Sequence, residues 1–158
     1  ETDAVLVGSE TAVTDNPRLD VRHFFGKKPL RIAFDRSGKI PPGHHLLDDT
    51  TGTWIFGPER PGSFKNTLFF PGSGPVAIPD LLNRLLSANA GSLLVEGGPD
   101  VLSQFIKAGY WDEIRLIENK KRLGSGIPAP SLPASAELVK AFHLRDDLVR
   151  IFRQTIFS

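Results

Sequence analysis

The stretch "SLLVEGGPDVLSQFIKAG", residues 92–109, sets the fold class. Its opening residues form a short apolar run that ends at Glu96, of strand rather than helix length. Gly97 and Gly98 follow, and Pro99 then opens a segment in which Val101, Leu102, Phe105 and Ile106 share one helical stripe. Proline suits the first turn of a helix, whose N–H groups have no helical partner, and Gly109 supplies a left-handed stop. A strand that passes through two glycines straight into a helix is the junction of an α/β fold. The same alternation runs along the chain. "AVLVG" (4–8), "LRIAF" (30–34) and "TWIFG" (53–57) are continuous apolar runs of the kind that strands covered on both faces carry, and "TLFF" (67–70) is a weaker one. "IPDLLNRLLSANAG" (78–91) puts leucines at 81, 82, 85 and 86, again a helical stripe, with Pro79 near its start. "DEIRLIE" (112–118) alternates polar and apolar, as a strand with one wetter face does. After the irregular 123–135, "FHLRDDLVRIFRQTIF" (142–157) reads as two strands around an Arg-Asp-Asp turn. The expectation is a single α/β domain over 1–158, with a mixed, mostly parallel sheet flanked by helices and a C-terminal antiparallel hairpin.

Composition narrows the function classes. A chain of 158 residues, 40% apolar and 23% charged, is an ordinary globular domain. Nineteen basic and 18 acidic residues leave a net charge of +1, so no long-range field draws nucleic acid or anionic lipid. Neither nucleic acid nor a membrane is therefore an expected partner, and any anionic ligand has to be met locally. No apolar stretch reaches the ~18 residues of a membrane span. The absence of cysteine excludes disulfides and thiolate metal sites. A cytoplasmic setting follows as the default.

In open α/β sheets, ligands bind outside the carboxyl ends of strands, which directs attention to the loop after 92–96. Gly97 and Gly98 allow close approach to the main chain, and the helix that starts near Pro99 turns its positive end toward the same place. The residues alone leave two readings open there, a phosphate cradle and a plain tight turn. Asp100 counts against the first by already placing negative charge at that helix end. Glu96 likewise reads either as a carboxylate facing a ligand cleft, where burial raises its pKa, or as a solvated strand end. A second constellation is "VGSETAVTDNPRLDVR" (7–22), where a strand ends in Gly8 and a short turn carries Ser9 and Thr11. Its hydroxyls and Asp15 can hold a ribose, or cap local N–H groups only. Pro17 forces Asn16 out of helical geometry, so Asp-Asn-Pro is a defined corner. His44 and His45 are adjacent in a Pro-Gly loop with no further ligands at useful spacing, which argues against a metal.

Together these segments are recognisable. "DAVLVGSETAVTDNPRLDVR", "KKPLRIAFDRSGKIPP" and "LLVEGGPDVLSQFIKAGYWDEIRLIENKKRLGSG", in that order, closely resemble the reductase domain of riboflavin biosynthesis. The resemblance implies a dihydrofolate-reductase-like fold and an NADPH-dependent reduction of the ribosyl group of 5-amino-6-(5-phosphoribosylamino)uracil to ribitylamino. It further implies a homodimer, and a deaminase domain fused to or paired with this one. Carried over by position, Thr11 and Asp15 match cofactor contacts, while Leu19, Arg22 and Glu96 match substrate contacts. Gly98, Pro99, Asp100, Val101, Leu102, Ser103 and Gln104 match the stretch that receives the cofactor pyrophosphate. Arg36, helped by Ser37 and Lys39, is the candidate for the 2′-phosphate that separates NADPH from NADH; a solvated turn is the alternative. The family's first strand and helix have no counterpart here, so the resemblance points to a piece of a longer protein and assigns no catalytic residue within these positions. A binding-only fragment, or a reductase of the same fold acting on a pterin or another carbonyl, are the alternatives. Arg22 discriminates, because a phosphorylated substrate needs its guanidinium and a pterin does not.

Overall fold

The computed structural model describes residues 2–21, 26–72, 74–121 and 124–155. The chain divides into two compact units, Glu1–Leu102 and Ser103–Ser158. In the first, β1 (Ala4–Gly8), β2 (Leu30–Phe34), β3 (Thr53–Phe56), β4 (Thr67–Phe69) and β5 (Leu93–Val95) form a sheet in the order β4-β3-β2-β1-β5. Every pairing in it is parallel. Helix α1 (Ser9–Asp15) follows β1 directly, α2 (Ile78–Ser87) joins β4 to β5, and α3 (Pro99–Ala108) follows β5.

The apolar runs become the middle of this sheet. Ala4, Leu6, Ile32 and Ala33 are fully buried, which is why β1 and β2 carry almost no polar side chain. On one side Val7, Ala12, Ala33, Ile40, Leu46, Leu47 and Ile55 form a core cluster. The exception on β2 is Arg31, 2% exposed. Its guanidinium donates to the Thr53 hydroxyl at 2.9 Å, the His45 carbonyl at 2.8 Å and the Asp48 carboxylate at 2.9 Å, and so pins the long 35–52 connection to the sheet. The adjacent histidines serve the same connection: Nε2 of His44 lies 3.2 Å from the Val13 carbonyl, and the His45 N–H donates to the Asn16 side chain at 2.8 Å.

Three local expectations are corrected. Ser9 and Thr11, expected in a short turn, lie on the helix α1; only Ala12 of it is buried, so it carries no apolar stripe to read. The run 92–96, expected as a strand to Glu96, is shorter: β5 spans the three residues Leu93–Val95, and Leu94 is 41% exposed. On α2 the buried stripe is Ile78, Leu81 and Leu85, while Leu86 points outward at 72% exposure.

The second unit holds an antiparallel sheet of β6 (Glu113–Asn119), β7 (Ala136–Leu144) and β8 (Asp147–Gln154) in the order β6-β8-β7. The expected hairpin is β7–β8, turning at Arg145, whose φ of 57° is left-handed. Parallel and antiparallel strands thus occupy separate sheets within the α/β class. Among the described residues no helix is long and apolar enough to cross a membrane.

Candidate active site

From β1 the chain lays β2, β3 and β4 successively on one side; α2 then carries it back, and β5 docks on the other side of β1. Such a reversal opens a crevice at the carboxyl ends of the two strands where the order switches. Here those strands are β1 and β5, and the crevice is flanked by the start of α1 and the 96–99 turn.

The glycines around it differ in what they permit. A Cβ on Gly97 would stand 2.7 Å from Cβ of Val101, and one on Gly8 would stand 3.0 Å from Cγ2 of Val101. Both are glycine because α3 packs on the strand ends through that valine. Among the described residues, a Cβ on Gly98 would meet only the Thr11 Oγ1, at an ordinary 3.8 Å. Gly98 therefore keeps an open side that faces a hydroxyl. The Gly98 carbonyl accepts the Val101 and Leu102 amides at 3.1 and 3.3 Å, so α3 begins at this point and its positive end opens beside Thr11. An anion seated here meets a hydroxyl donor and a helix dipole together. Glu96 extends the β1 pairing by donating its N–H to the Leu6 carbonyl at 2.8 Å, and its carboxylate is exposed. Of the two readings open for Glu96, its exposure fits the solvated strand end.

A second group of residues sits at the carboxyl ends of β2 and β3. Arg36 and Ser37 are exposed. The Lys39 ammonium lies 2.6 Å from the Glu10 carboxylate, whose hydrogen bond and charge raise the lysine pKa. That lysine is matched by a carboxylate, which weakens its expected role as a helper in phosphate binding. Asp35 is fully buried; it accepts from the Lys39 and Ile40 amides at 2.7 and 3.2 Å and from Arg60 at 3.0 Å. Asp35, Arg60 and Glu10 were not visible as site residues in the sequence. The available signal was an aspartate closing an apolar strand.

A family model described as the RibD C-terminal domain matches residues 1–154. The chain belongs to the RibD C-terminal domain family. It is 32% identical over 155 residues to the Aquifex aeolicus protein named 2,5-diamino-6-ribosylamino-4(3H)-pyrimidinone 5′-phosphate reductase, covering 90% of this chain and 69% of that protein. It is 28% identical over 167 residues to the riboflavin biosynthesis protein RibD of the same organism, covering 98% of this chain and 47% of that one. Among solved structures, the Thermotoga maritima diaminohydroxyphosphoribosylaminopyrimidine deaminase/5-amino-6-(5-phosphoribosylamino)uracil reductase superposes with a TM-score of 0.79 at 23% identity, over 98% of this chain and 46% of that one. The chain thus spans about half the length of the RibD proteins it matches.

Within this RibD-type domain the expected site residues are distributed as follows. Thr11, Gly98 and Pro99 gather at the β1/β5 crevice, with Glu96 beside them. Val101 is 6% exposed and packs against the glycines, and Leu102 is half-buried, so these two act through the backbone and through packing. Asp100 is exposed in the first turn of α3, and Asp15 is exposed at the end of α1. Leu19 has a left-handed φ of 50° and packs its side chain partly against the core cluster. Ser103 and Gln104 continue α3 but belong to the second unit. Arg22 lies outside the described residues.

Proposed function

We propose that this chain is the reductase domain of riboflavin biosynthesis, which uses NADPH to reduce the ribosyl group of 5-amino-6-(5-phosphoribosylamino)uracil to ribitylamino. The observation that carries this reading is the β1/β5 crevice, where the open side of Gly98 faces Thr11 at the mouth of α3. The residues present fit a dinucleotide: a hydroxyl and a helix end suit its pyrophosphate, and the exposed Arg36 and Ser37 suit a 2′-phosphate. When bound, the cofactor supplies the hydride that the opened ribosyl carbon accepts. The chain's own residues orient the two ligands and bring them together. Glu96 adjoins the Gly98 turn and offers an exposed carboxylate to the ring N–H groups of a pyrimidine. Leu19 and Arg22 complete the substrate side, with Arg22 gripping the ribosyl phosphate. Asp15 and the 98–102 segment complete the cofactor side. A homodimer, a deaminase domain acting beside this one and a cytoplasmic setting belong to the same reading.

The relatives' names differ in whether position 2 of the pyrimidine carries an amino or an oxo group, so both forms are the substrates to offer. NADPH consumption by this chain is expected with at least one of them, with NADPH bound more tightly than NADH. The Arg22→Ala variant is expected to raise KM for the phosphorylated substrate with the NADPH Kd unchanged. Equal affinity for the two nicotinamide cofactors, together with no turnover of either pyrimidine, would falsify the assignment.

A further inference from the structure

The turn that follows β2 is braced from outside itself. Asp35 is 0% exposed, and burying an ionised carboxylate costs several kcal/mol unless it is paired and fully hydrogen-bonded. Two of its partners, the Lys39 and Ile40 amides, come from its own turn. The third is Nη2 of Arg60, from the connection after β3, which lies 3.0 Å from Asp35 Oδ2 and 3.1 Å from the Ile40 carbonyl. One guanidinium nitrogen therefore ties both ends of the 35–40 turn. The turn also packs on that connection through Gly38, whose φ is +67° and where a Cβ would stand 2.9 Å from Pro58. Between the tied ends stand Arg36 and Ser37, exposed.

Replacing a buried ion pair with apolar residues is often neutral or stabilising, whereas this pair, with the side chains of Asp35 1% and Arg60 20% exposed, bridges two ends of a turn, which an apolar filler cannot do. Nε of Arg60 is also buried and has no hydrogen-bond partner among the described residues, a further cost that an apolar filler would avoid.

We propose that Arg60 is a positioning residue for cofactor discrimination: through Asp35 it holds the 35–40 turn in the shape that presents Arg36 and Ser37 to the 2′-phosphate of NADPH. This rests on the cofactor reading above. Without Arg60, the buried Asp35 carboxylate loses the guanidinium that contacts it and keeps only the longer-range charge of Lys39, and the turn opens to let water reach it. Arg36 then keeps its charge but loses its place.

The test compares Kd for NADPH and for NADH, by titration of the purified chain, in Arg36→Ala, Arg60→Ala, Arg60→Lys and the Arg36→Ala/Arg60→Ala double variant, with a melting curve for each. Arg60→Ala is expected to weaken NADPH at least about tenfold more than NADH. The lysine variant, which keeps a cation near Asp35, recovers part of that loss and stands in if the alanine variant does not fold. The double variant loses less than the two single losses combined, because Arg60 acts through the turn that carries Arg36, and what it loses beyond Arg36→Ala is the share of Ser37. Equal weakening of both cofactors in every Arg60 variant, or additive losses in the double variant, overturns the proposal. If Arg36→Ala itself leaves the NADPH/NADH ratio unchanged, the cofactor reading of this turn fails, and the Arg60 proposal fails with it for that separate reason.

Discussion

Gly97 and Gly98 are neighbours with different reasons to lack a side chain. At Gly97 the space is filled by Val101, 2.7 Å from where a Cβ would stand; at Gly98 it is open toward Thr11 at 3.8 Å. Gly97→Ala therefore overpacks the strand–helix junction, and a loss of about 1–3 kcal/mol in urea unfolding is expected. Gly98→Ala is expected to melt like the parent and to weaken NADPH binding several-fold by narrowing the cradle. Comparable destabilisation by both substitutions would show that Gly98, too, serves only packing. The sequence presented the two as one ligand-approach signal, because adjacency in the chain says nothing about which Cα faces the helix. Arg60 was invisible for a related reason: it lies 25 residues from Asp35, and their meeting depends on β2 and β3 being parallel neighbours.

At the level of elements, strands with continuous apolar runs were legible, since a strand covered on both faces has no polar alternative. Helix α1 was not, because a helix that buries only Ala12 shows no stripe. The 35–52 connection looked structureless and is nevertheless held, largely by Arg31, whose partners become apparent only once β2 and β3 pair. Arg31→Met removes every donor of that guanidinium and leaves Asp48 without its cation. Asp48 is 30% exposed, so water screens part of the loss, and about 2–3 kcal/mol is expected. The pair also sets an acid dependence. Burial pushes the Asp48 pKa up, but hydrogen bonds from Arg31 and Thr50 outweigh it and hold the carboxyl below its usual 3.8. Asp3 is lowered in the same way, foremost by the Ser92 hydroxyl, and Asp49 by the Lys65 amide. A carboxylate whose folded pKa is depressed contributes stability above its unfolded value, and that contribution is lost as pH falls through the folded one. Urea midpoints are thus expected to hold between pH 7 and about 5 and to drop below about 4. Arg31→Met should start lower and fall less steeply in acid; a slope equal to the parent's would remove Asp48 from the account.

For the whole molecule, the near-neutral composition conceals local charge order that only strand register reveals. In the antiparallel sheet Ile117, Val149 and Phe142 stand side by side on one face, with Ile117 63% and Phe142 38% exposed and Val149 between them only 6% exposed. The next row on one side is Arg115, Ile151 and Lys140; on the other it is Asn119, Asp147 and Leu144. A two-fold axis through Val149 lays the apolar row on its own copy and sets the basic row against the partner's Asp147, the self-complementarity that an isologous contact requires. The homodimer proposed above is therefore expected to form through this face. Substituting Ile117→Asp together with Phe142→Asp puts four carboxylates at its centre while disturbing only exposed side chains. In sedimentation the parent should run as a dimer and the double variant as a monomer, with the melting of its first unit retained. A parent that is monomeric at high concentration, or a double variant that still dimerises, rules this face out.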